Sequence, residues 1–164
     1  QQGDGRRDFA GNVTAFCRGG LLTVSDTPPP ETPAPLELSA DSPAPTRWGD
    51  VEIRLERGTG IHDLANGIGV YPAMCSLNAD MLEGQQLRAR ARLPGDRISP
   101  TGLNGSKKVQ DLFIDAKVPE HLRDSVPLIA CGGKVVWIPG YRIDRRFAVP
   151  SPKTQSVNIT VRRV

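Results

Sequence analysis

Short runs of alternating hydrophobic and polar residues recur along this chain and predict strands. In WGDVEIRLER, Val51, Ile53 and Leu55 alternate with charged residues, which is typical of an antiparallel strand with one buried face. The segment 156–164 repeats this pattern near the C-terminus. Further strands are predicted at 12–17, 21–25, 70–77, 87–93, 127–130 and 134–138. The chain is therefore expected to be rich in strands.

Two short helices are predicted among these strands. Ser106 is a natural N-cap for a helix from Lys107 to Ala116, whose apolar stripe includes Val109 and Phe113. Pro119 predicts the first position of a second helix, PEHLRDSV. Strands and helices together predict an α+β fold in which the two short helices pack on an antiparallel sheet or sandwich.

A proline-rich segment suggests how the chain is divided. Residues 27–46, TPPPETPAPLELSADSPAPT, contain seven prolines, which prevent a helix and favour an extended linker. Leu36–Leu38 is expected to form a short edge strand within it, and a proline-rich recognition motif is the alternative. The predicted parts are a β-hairpin segment at 1–26 from the end of a preceding domain, the linker at 27–46, and a C-terminal domain at 47–164. Because the chain has neither an initiator Met nor an apolar signal core, we expect it to be a piece of a longer protein.

Composition narrows the location of the protein. No run of about 18 apolar residues occurs, so no membrane-spanning segment is predicted. Cys17, Cys75 and Cys131 are widely spaced and form no Cys-x-x-Cys pair, which argues against a zinc site or a disulfide framework. Three reduced thiols are expected, and they indicate the cytoplasm.

The charge is distributed unevenly along the chain. Residues 1–83 hold 6 Lys and Arg against 12 Asp and Glu, a net charge of −6, whereas residues 84–164 hold 15 against 6, a net charge of +9. A half this basic attracts phosphates or acidic surfaces. The sequence therefore favours a polyanionic partner for the C-terminal half.

No catalytic or metal-binding constellation accompanies this charge. The glycine-rich segment GTGIHDLANGIG is not followed by Gly-Lys-Ser/Thr, so a nucleotide-binding loop is not predicted. His62 and Asp63 lie next to each other without a nearby nucleophile and are interpreted as loop residues. An independent enzyme is therefore not expected.

Basic residues instead recur at the turns and loop edges of residues 88–147. Arg88, Arg90 and Arg92 are predicted on one face of a strand, where each guanidinium is able to bind a phosphate with two hydrogen bonds. Lys107 and Lys108 are predicted in the first turn of a helix, where a phosphate would offset the unfavourable helix dipole. The alternatives are solvated surface lysines and internal ion pairs, Arg97 with Asp96 and Arg145 with Asp144. The candidate polyanion contacts are Arg90, Arg92, Arg97, Lys107, Lys108, Lys117, Arg142 and Arg145.

The run LRARARLPGDRISPTGLNGSKKVQDLFIDAKVPEHLRDSVPLIACGGKVVWIPGYRIDRRF resembles the C-terminal domain of bacterial tRNA(Ile)-lysidine synthases. The shared features are an Arg-x-Arg strand, Pro-Gly-Asp-Arg, a Gly-x-x-Gly-x-Lys-Lys loop, Asp-x-Phe-x-Asp-x-Lys-Val-Pro, a Trp strand, Pro-Gly-x-Arg-Ile-Asp and Arg-Phe. The earlier stretch RRDFAGNVTAFCRGGLLTV is similar to the strand pair that follows the substrate domain in that family. The resemblance implies a layered sandwich like that of a domain in the phenylalanyl-tRNA synthetase β subunit.

The resemblance also implies a function. The family uses ATP to join lysine to the wobble cytidine of a minor isoleucine tRNA, through an N-terminal Ser-Gly-Gly-x-Asp-Ser loop that Arg18-Gly19-Gly20 does not reproduce. ATP and lysine are thus implied for a parent enzyme and no cofactor for this piece. Its implied role is non-catalytic tRNA recognition, by the acceptor stem, with the catalytic domain as partner and the eight basic residues as RNA contacts. The alternative is a structural or dimerisation module, packed on the catalytic domain or forming a homodimer without RNA contact.

Overall fold

The structure is a computed structural model of the 164-residue chain, and it describes residues 5–9, 13–18, 21–25, 31–42 and 44–164. The chain forms two compact units, Gln1–Glu31 and Thr32–Val164.

The first unit holds a three-stranded antiparallel sheet of order β1-β2-β3. Its strands are β1 (Gly5–Phe9), β2 (Val13–Arg18) and β3 (Leu21–Ser25). The predicted strands at 12–17 and 21–25 correspond to β2 and β3, while Asn12 and the turn residues Gly19 and Gly20 lie outside the described residues. β1 was not predicted, because GRRDF carries too many charged residues to show an alternating apolar pattern.

The second unit holds the remaining strands and the helices. Its strands are β4 (Leu36–Leu38), β5 (Thr46–Trp48), β6 (Val51–Thr59), β7 (Ala73–Asn78), β8 (Leu87–Arg90), β9 (Arg97–Ile98), β10 (Lys107–Lys108), β11 (Leu128–Cys131), β12 (Lys134–Trp137) and β13 (Gln155–Arg163). Its α-helix is α1 (Val109–Asp115), and its 3₁₀-helices are Ala79–Leu82, Glu120–Ser125 and Arg145–Phe147. Within the described part of the chain, no helix is long and apolar enough to cross a membrane.

Two four-stranded antiparallel sheets face each other and bury the larger core. Their strand orders are β12-β11-β8-β4 and β5-β6-β13-β7. Ile53 from β6 and Ile159 from β13 are fully buried in this core beside Ala89 and Ile129 of the other sheet. The predicted burial of the alternating apolar residues in 51–55 and 157–161 is therefore confirmed, as is the expectation that Trp137 is a core residue.

A smaller core lies where α1 packs on the other face of the β12-β11-β8-β4 sheet. Val109 and Phe113 of α1 are buried there with Leu128 and Val135. All four residues of β11 are buried, because the sheet is covered on both faces. The result is an α+β layered sandwich with two short helices, as the sequence predicted.

The proline-rich segment contributes structure from residue 32 onward. β4 pairs with β8 and β5 pairs with β6, which confirms the edge strand expected at Leu36–Leu38. The indole N–H of Trp48, a buried residue, donates to the carbonyl of Ala34 at 2.9 Å. Within the segment predicted as a linker, Pro35 and Pro45 thus directly precede short edge strands, where proline is tolerated.

Both helices differ in detail from the prediction. α1 begins at Val109, and Lys108 stands at its N-cap without a side-chain capping bond, so the predicted cap at Ser106 is wrong. Lys107 and Lys108 do not lie in the first turn, because they pair with Ile98 and Arg97 as β10. The second helix is a 3₁₀-helix preceded, not begun, by Pro119.

Candidate nucleic-acid interface

The loop between β9 and β10, residues 99–106, packs against residues 142–145 from much later in the chain. The N–H of Thr101 donates to the carbonyl of Ile143 at 3.0 Å, and the N–H of Arg145 donates to the carbonyl of Ser99 at 2.8 Å. These bonds bring two basic stretches, more than 30 residues apart in sequence, to one place.

Asp144 is the centre of this junction and is fully buried. Its carboxylate accepts hydrogen bonds from the Ser99 N–H at 2.9 Å, from the Arg146 N–H at 3.0 Å, and from two guanidinium nitrogens of Arg146, both at 2.8 Å. Burial opposes ionisation of Asp144, but the hydrogen bonds from Arg146 and from the two backbone N–H groups prevail and lower its pKa. The alternative pairing of Asp144 with Arg145 is not found: Arg146 binds Asp144, and Arg145 is exposed.

Five exposed cations gather around this loop. Arg142 donates to the Thr101 carbonyl at 3.0 Å, and Arg145 donates to the Leu103 carbonyl at 3.5 Å. On the other side of the loop, Arg97 of β9 stands directly opposite Lys108 of β10. We call this set the cationic cluster: Arg97, Lys107, Lys108, Arg142 and Arg145.

The cationic cluster is not neutralised internally. Its arginines donate to neutral oxygens, Arg97 to the hydroxyl of Ser106 at 2.8 Å, and none of the five cations has a described carboxylate at ion-pair distance. Asp63 lies within electrostatic range of Arg142; burial raises the pKa of Asp63, and the charge of Arg142 partly offsets that rise. The cluster therefore keeps donors and positive charge for an external anion.

Arg90 is placed differently from the prediction. It is only 8% exposed, and its guanidinium binds both carboxylate oxygens of Asp96, at 2.7 and 2.9 Å. The expected exposed row of Arg88, Arg90 and Arg92 is thus wrong at its centre, because β8 ends at Arg90 and this side chain turns into the protein. The alternative pairing of Asp96 with Arg97 is not found, because the carboxylate of Asp96 binds Arg90.

Arg92 and Lys117, the other two predicted contacts, lie outside the cluster. Arg92 is half-buried and binds Asp124 at 2.8 Å, yet it lines a groove of about 330 Å³ together with Lys108 and Gln110. Lys117 is exposed at the far end of α1 from Lys108, in left-handed backbone with φ 56°. The structure thus brings together five of the eight predicted residues.

Comparison with known proteins finds a family that this surface resembles. Residues 87–159 match the family model described as the TilS substrate C-terminal domain. This stretch of the chain is therefore similar to a TilS C-terminal domain. All eight predicted basic residues lie within the matched range.

Full-length relatives agree with this assignment. The chain is 49% identical over 87 residues to tRNA(Ile)-lysidine synthase of Symbiobacterium thermophilum, covering 53% of this chain and 18% of that protein. It is 42% identical over 100 residues to tRNA(Ile)-lysidine synthase of Clostridium tetani, covering 61% of this chain and 21% of that protein. The matched segments thus span about a fifth of these relatives' length.

A solved structure shares the fold. The "Crystal structure of TILS C-terminal domain" superposes with a TM-score of 0.64 at 23% sequence identity and covers 80% of this chain and 98% of that chain. The layered sandwich described above is therefore the fold of a TilS C-terminal domain.

Sequence reasoning named Asp96 and Asp144 as possible ion-pair members but missed their partners in the structure. Asp96 pairs with Arg90, Asp144 pairs with Arg146, and the Ser99 N–H donates to Asp144 and joins the two stretches. One signal was present: Asp-Arg occurs twice, in Pro-Gly-Asp-Arg and in Arg-Ile-Asp-Arg. In both places the aspartate turns inward and the arginine after it is exposed.

Proposed function

We propose that this TilS C-terminal domain binds a minor isoleucine tRNA by its acceptor stem. The catalytic domain of the same protein would then ligate lysine to the wobble cytidine of that tRNA with ATP. Support for the substrate comes from the relatives, which carry the name tRNA(Ile)-lysidine synthase. We assign no catalytic step to the present residues; their role is to hold the tRNA.

The observation that carries this proposal is the cationic cluster. Proteins grip duplex RNA mainly through phosphates and 2′-hydroxyls, and these contacts require exposed cations on a rigid frame. The cluster supplies five such cations around the 99–106 loop, which is held in place by backbone hydrogen bonds and by Asp144. Base stacking is a poorer match, because aromatic residues make up only 5% of the chain and both tryptophans are buried.

We place this function in the cytoplasm. Cys75 and Cys131 are buried, unpaired thiols, a state typical of a reducing compartment. Burial raises the pKa of both thiols, so neither is primed as a nucleophile.

The decisive test is tRNA binding measured across a salt series. Fluorescence anisotropy would follow the 164-residue chain with a minor isoleucine tRNA and with a scrambled hairpin. The variant Lys107→Ala/Lys108→Ala removes two cluster cations, so the slope of log affinity against log salt should fall by about 2. A matched control, Arg54→Ala/Arg57→Ala, removes the same charge from β6, where both arginines are already paired with carboxylates.

The outcomes separate the two candidate roles. Steep salt dependence, preference for the tRNA and a loss confined to the cluster variant would establish RNA recognition. Flat, negligible binding by every protein would refute it and leave a structural or dimerisation module. An equal loss in the β6 control would mean that general charge, and not the cluster, attracts the RNA.

A further inference from the structure

Two Asp-Arg dipeptides border the cationic cluster, and the structure uses both in the same way. Asp96 binds Arg90 and Asp144 binds Arg146, while the arginines that directly follow them, Arg97 and Arg145, are exposed. Each aspartate therefore pairs with a different arginine, and the arginine that follows it has no ion pair with any residue in the part of the chain that the structure describes.

The Arg90–Asp96 pair is the more buried of the two. Its side chains are 9% and 11% exposed, and two guanidinium nitrogens meet two carboxylate oxygens at 2.7 and 2.9 Å. Arg90 also donates to the carbonyl of Ala91 at 3.0 Å. Such a bidentate contact fixes the orientation of the two side chains as well as their distance, which a lysine is unable to do.

Asp96 connects this pair to the elements that carry the cluster. Its carboxylate accepts the Leu93 N–H at 2.7 Å, and its own N–H donates to the Leu93 carbonyl at 3.2 Å, which closes the turn at 94–95. Its carbonyl accepts the N–H of Val109 at 2.9 Å, the residue that follows Lys108 and begins α1. One residue thus anchors the end of β8, the turn and the start of α1.

We propose that Arg90 and Asp96 are positioning residues for tRNA binding. The pair holds Arg97 and Lys108 side by side for the RNA backbone, and Arg90 itself does not touch RNA. This role rests on the proposed function, and it replaces the direct contact that the sequence suggested for Arg90.

Whether Asp96→Asn strengthens or weakens RNA binding distinguishes positioning from direct contact. Asp96→Asn removes a negative charge close to the cluster, so electrostatics alone predicts tighter RNA binding. Direct contact by Arg90 also predicts tighter binding, since the guanidinium is released from its partner. Positioning predicts weaker binding, because the turn loosens and the two exposed cations lose their register.

The experiment uses the 164-residue chain with the minor isoleucine tRNA in a salt series, together with amide hydrogen exchange in the absence of RNA. For Asp96→Asn we expect about tenfold weaker binding, a salt slope lower by about 1, and faster exchange of the Val109 N–H. Arg90→Lys, which keeps the positive charge but loses the bidentate contact with Asp96, should show the same changes. The control Glu37→Gln removes an exposed carboxylate that pairs with Arg88 of β8 and should weaken neither binding nor Val109 protection.

Each other result has a definite meaning. Equal or tighter binding by Asp96→Asn, or unchanged Val109 exchange, overturns the positioning role while the proposed function stands. Wild-type protein that does not bind the tRNA overturns the proposed function and this role with it. Circular dichroism identifies a variant that fails to fold, and the near-isosteric Asp96→Asn then decides the question if Arg90→Lys is unfolded.

Discussion

Two regions of the molecule carry exposed arginines. In one region the arginines pair with carboxylates, and in the other they pair with no described carboxylate. On β6, Arg54 lies 3.3 Å from Glu56 and Arg57 lies 2.9 Å from Asp41. In the cationic cluster, the partners of Arg142 and Arg145 among the described residues are backbone carbonyls. Counting charges along the sequence does not distinguish these two regions.

The difference indicates where an anion would bind. Exposed ion pairs contribute roughly 0 to 1 kcal/mol to stability, but they cancel the field that an arginine would otherwise project. Clustered cations without carboxylates repel one another, and a polyanion removes that repulsion. The unpaired region is therefore the better candidate for phosphate binding, even though both regions are rich in arginine.

The largest effect is expected from the turn just before Arg142. Gly140 has φ 84°, and a Cβ there would collide with the carbonyl oxygen of Gly67, whose N–H donates to the Gly140 carbonyl at 2.9 Å. Gly140→Ala should therefore lower the free energy of unfolding by more than about 3 kcal/mol, measured by urea denaturation.

Gly84→Ala is the matched control for backbone strain alone. Gly84 also has positive φ, 70°, but nothing lies within 4 Å of its added Cβ, so the cost should be about 1 kcal/mol. Equal costs at the two positions would show that the close approach of Gly140 to the Gly67 backbone does not affect stability.

The next prediction tests whether the cluster arginines and the ion-paired arginines of β6 differ in RNA binding. Arg142→Ala/Arg145→Ala should weaken tRNA binding by about tenfold or more and lower the salt slope by about 2, because two uncompensated cations are lost. The free energy of unfolding should change little, since both side chains are exposed. Anisotropy with Arg54→Ala/Arg57→Ala in parallel provides the contrast, and equal losses in both double variants would abolish the distinction between the regions.

A third effect concerns the two carboxylates that serve these regions. The pKa of Asp144 is lowered by the hydrogen bonds that overcome its burial, and the pKa of Asp41 is lowered by its hydrogen bond with Arg57. Because the folded-state pKa of Asp144 is depressed, its contribution is present above the unfolded value near 3.9 and is lost as pH falls through the folded value.

Asp144→Asn should therefore cost about 2 kcal/mol at pH 7, and the gap from wild type should close as the pH falls below about 4. The exposed Asp41→Asn should leave the denaturation midpoint unchanged at both pH values. A gap at Asp144 that stayed constant with pH would mean that the carboxylate charge contributes nothing to the junction.

The sequence correctly predicted those features of the fold that depend on residues close together in the chain. The alternation in β6 and β13 identified both strands and their buried faces, since residue order alone sets that pattern. The cluster residues were predicted because basic residues recur at the turns and loop edges of residues 88–147. The start of α1 was misplaced because Arg97–Ile98, about ten residues earlier, pairs with Lys107–Lys108 and draws both lysines into a strand.

The arginines at 88, 90 and 92 show that the sequence alone did not identify ion-pair partners. They are identical in type and spaced by two, yet Arg88 pairs with Glu37, Arg90 with Asp96 and Arg92 with Asp124. Two of these partners are 51 and 32 residues away in the chain, so only the fold assigns them. The alternating pattern predicted that the three arginines share one face of a strand. In the structure each of them pairs with a different carboxylate.

The smallest effect should therefore occur at Arg88, the first of these three arginines. The Arg88–Glu37 pair spans 3.1 Å with side chains 55% and 66% exposed, so Arg88→Gln should change the free energy of unfolding by no more than about 0.5 kcal/mol. Because Glu37 already neutralises this arginine, the salt slope of tRNA binding should also remain that of wild type. Urea denaturation and anisotropy on the one variant check both statements. A reduced slope would show that an ion-paired arginine still contacts RNA, and pairing would then no longer distinguish the cationic cluster from the arginines on the rest of the surface.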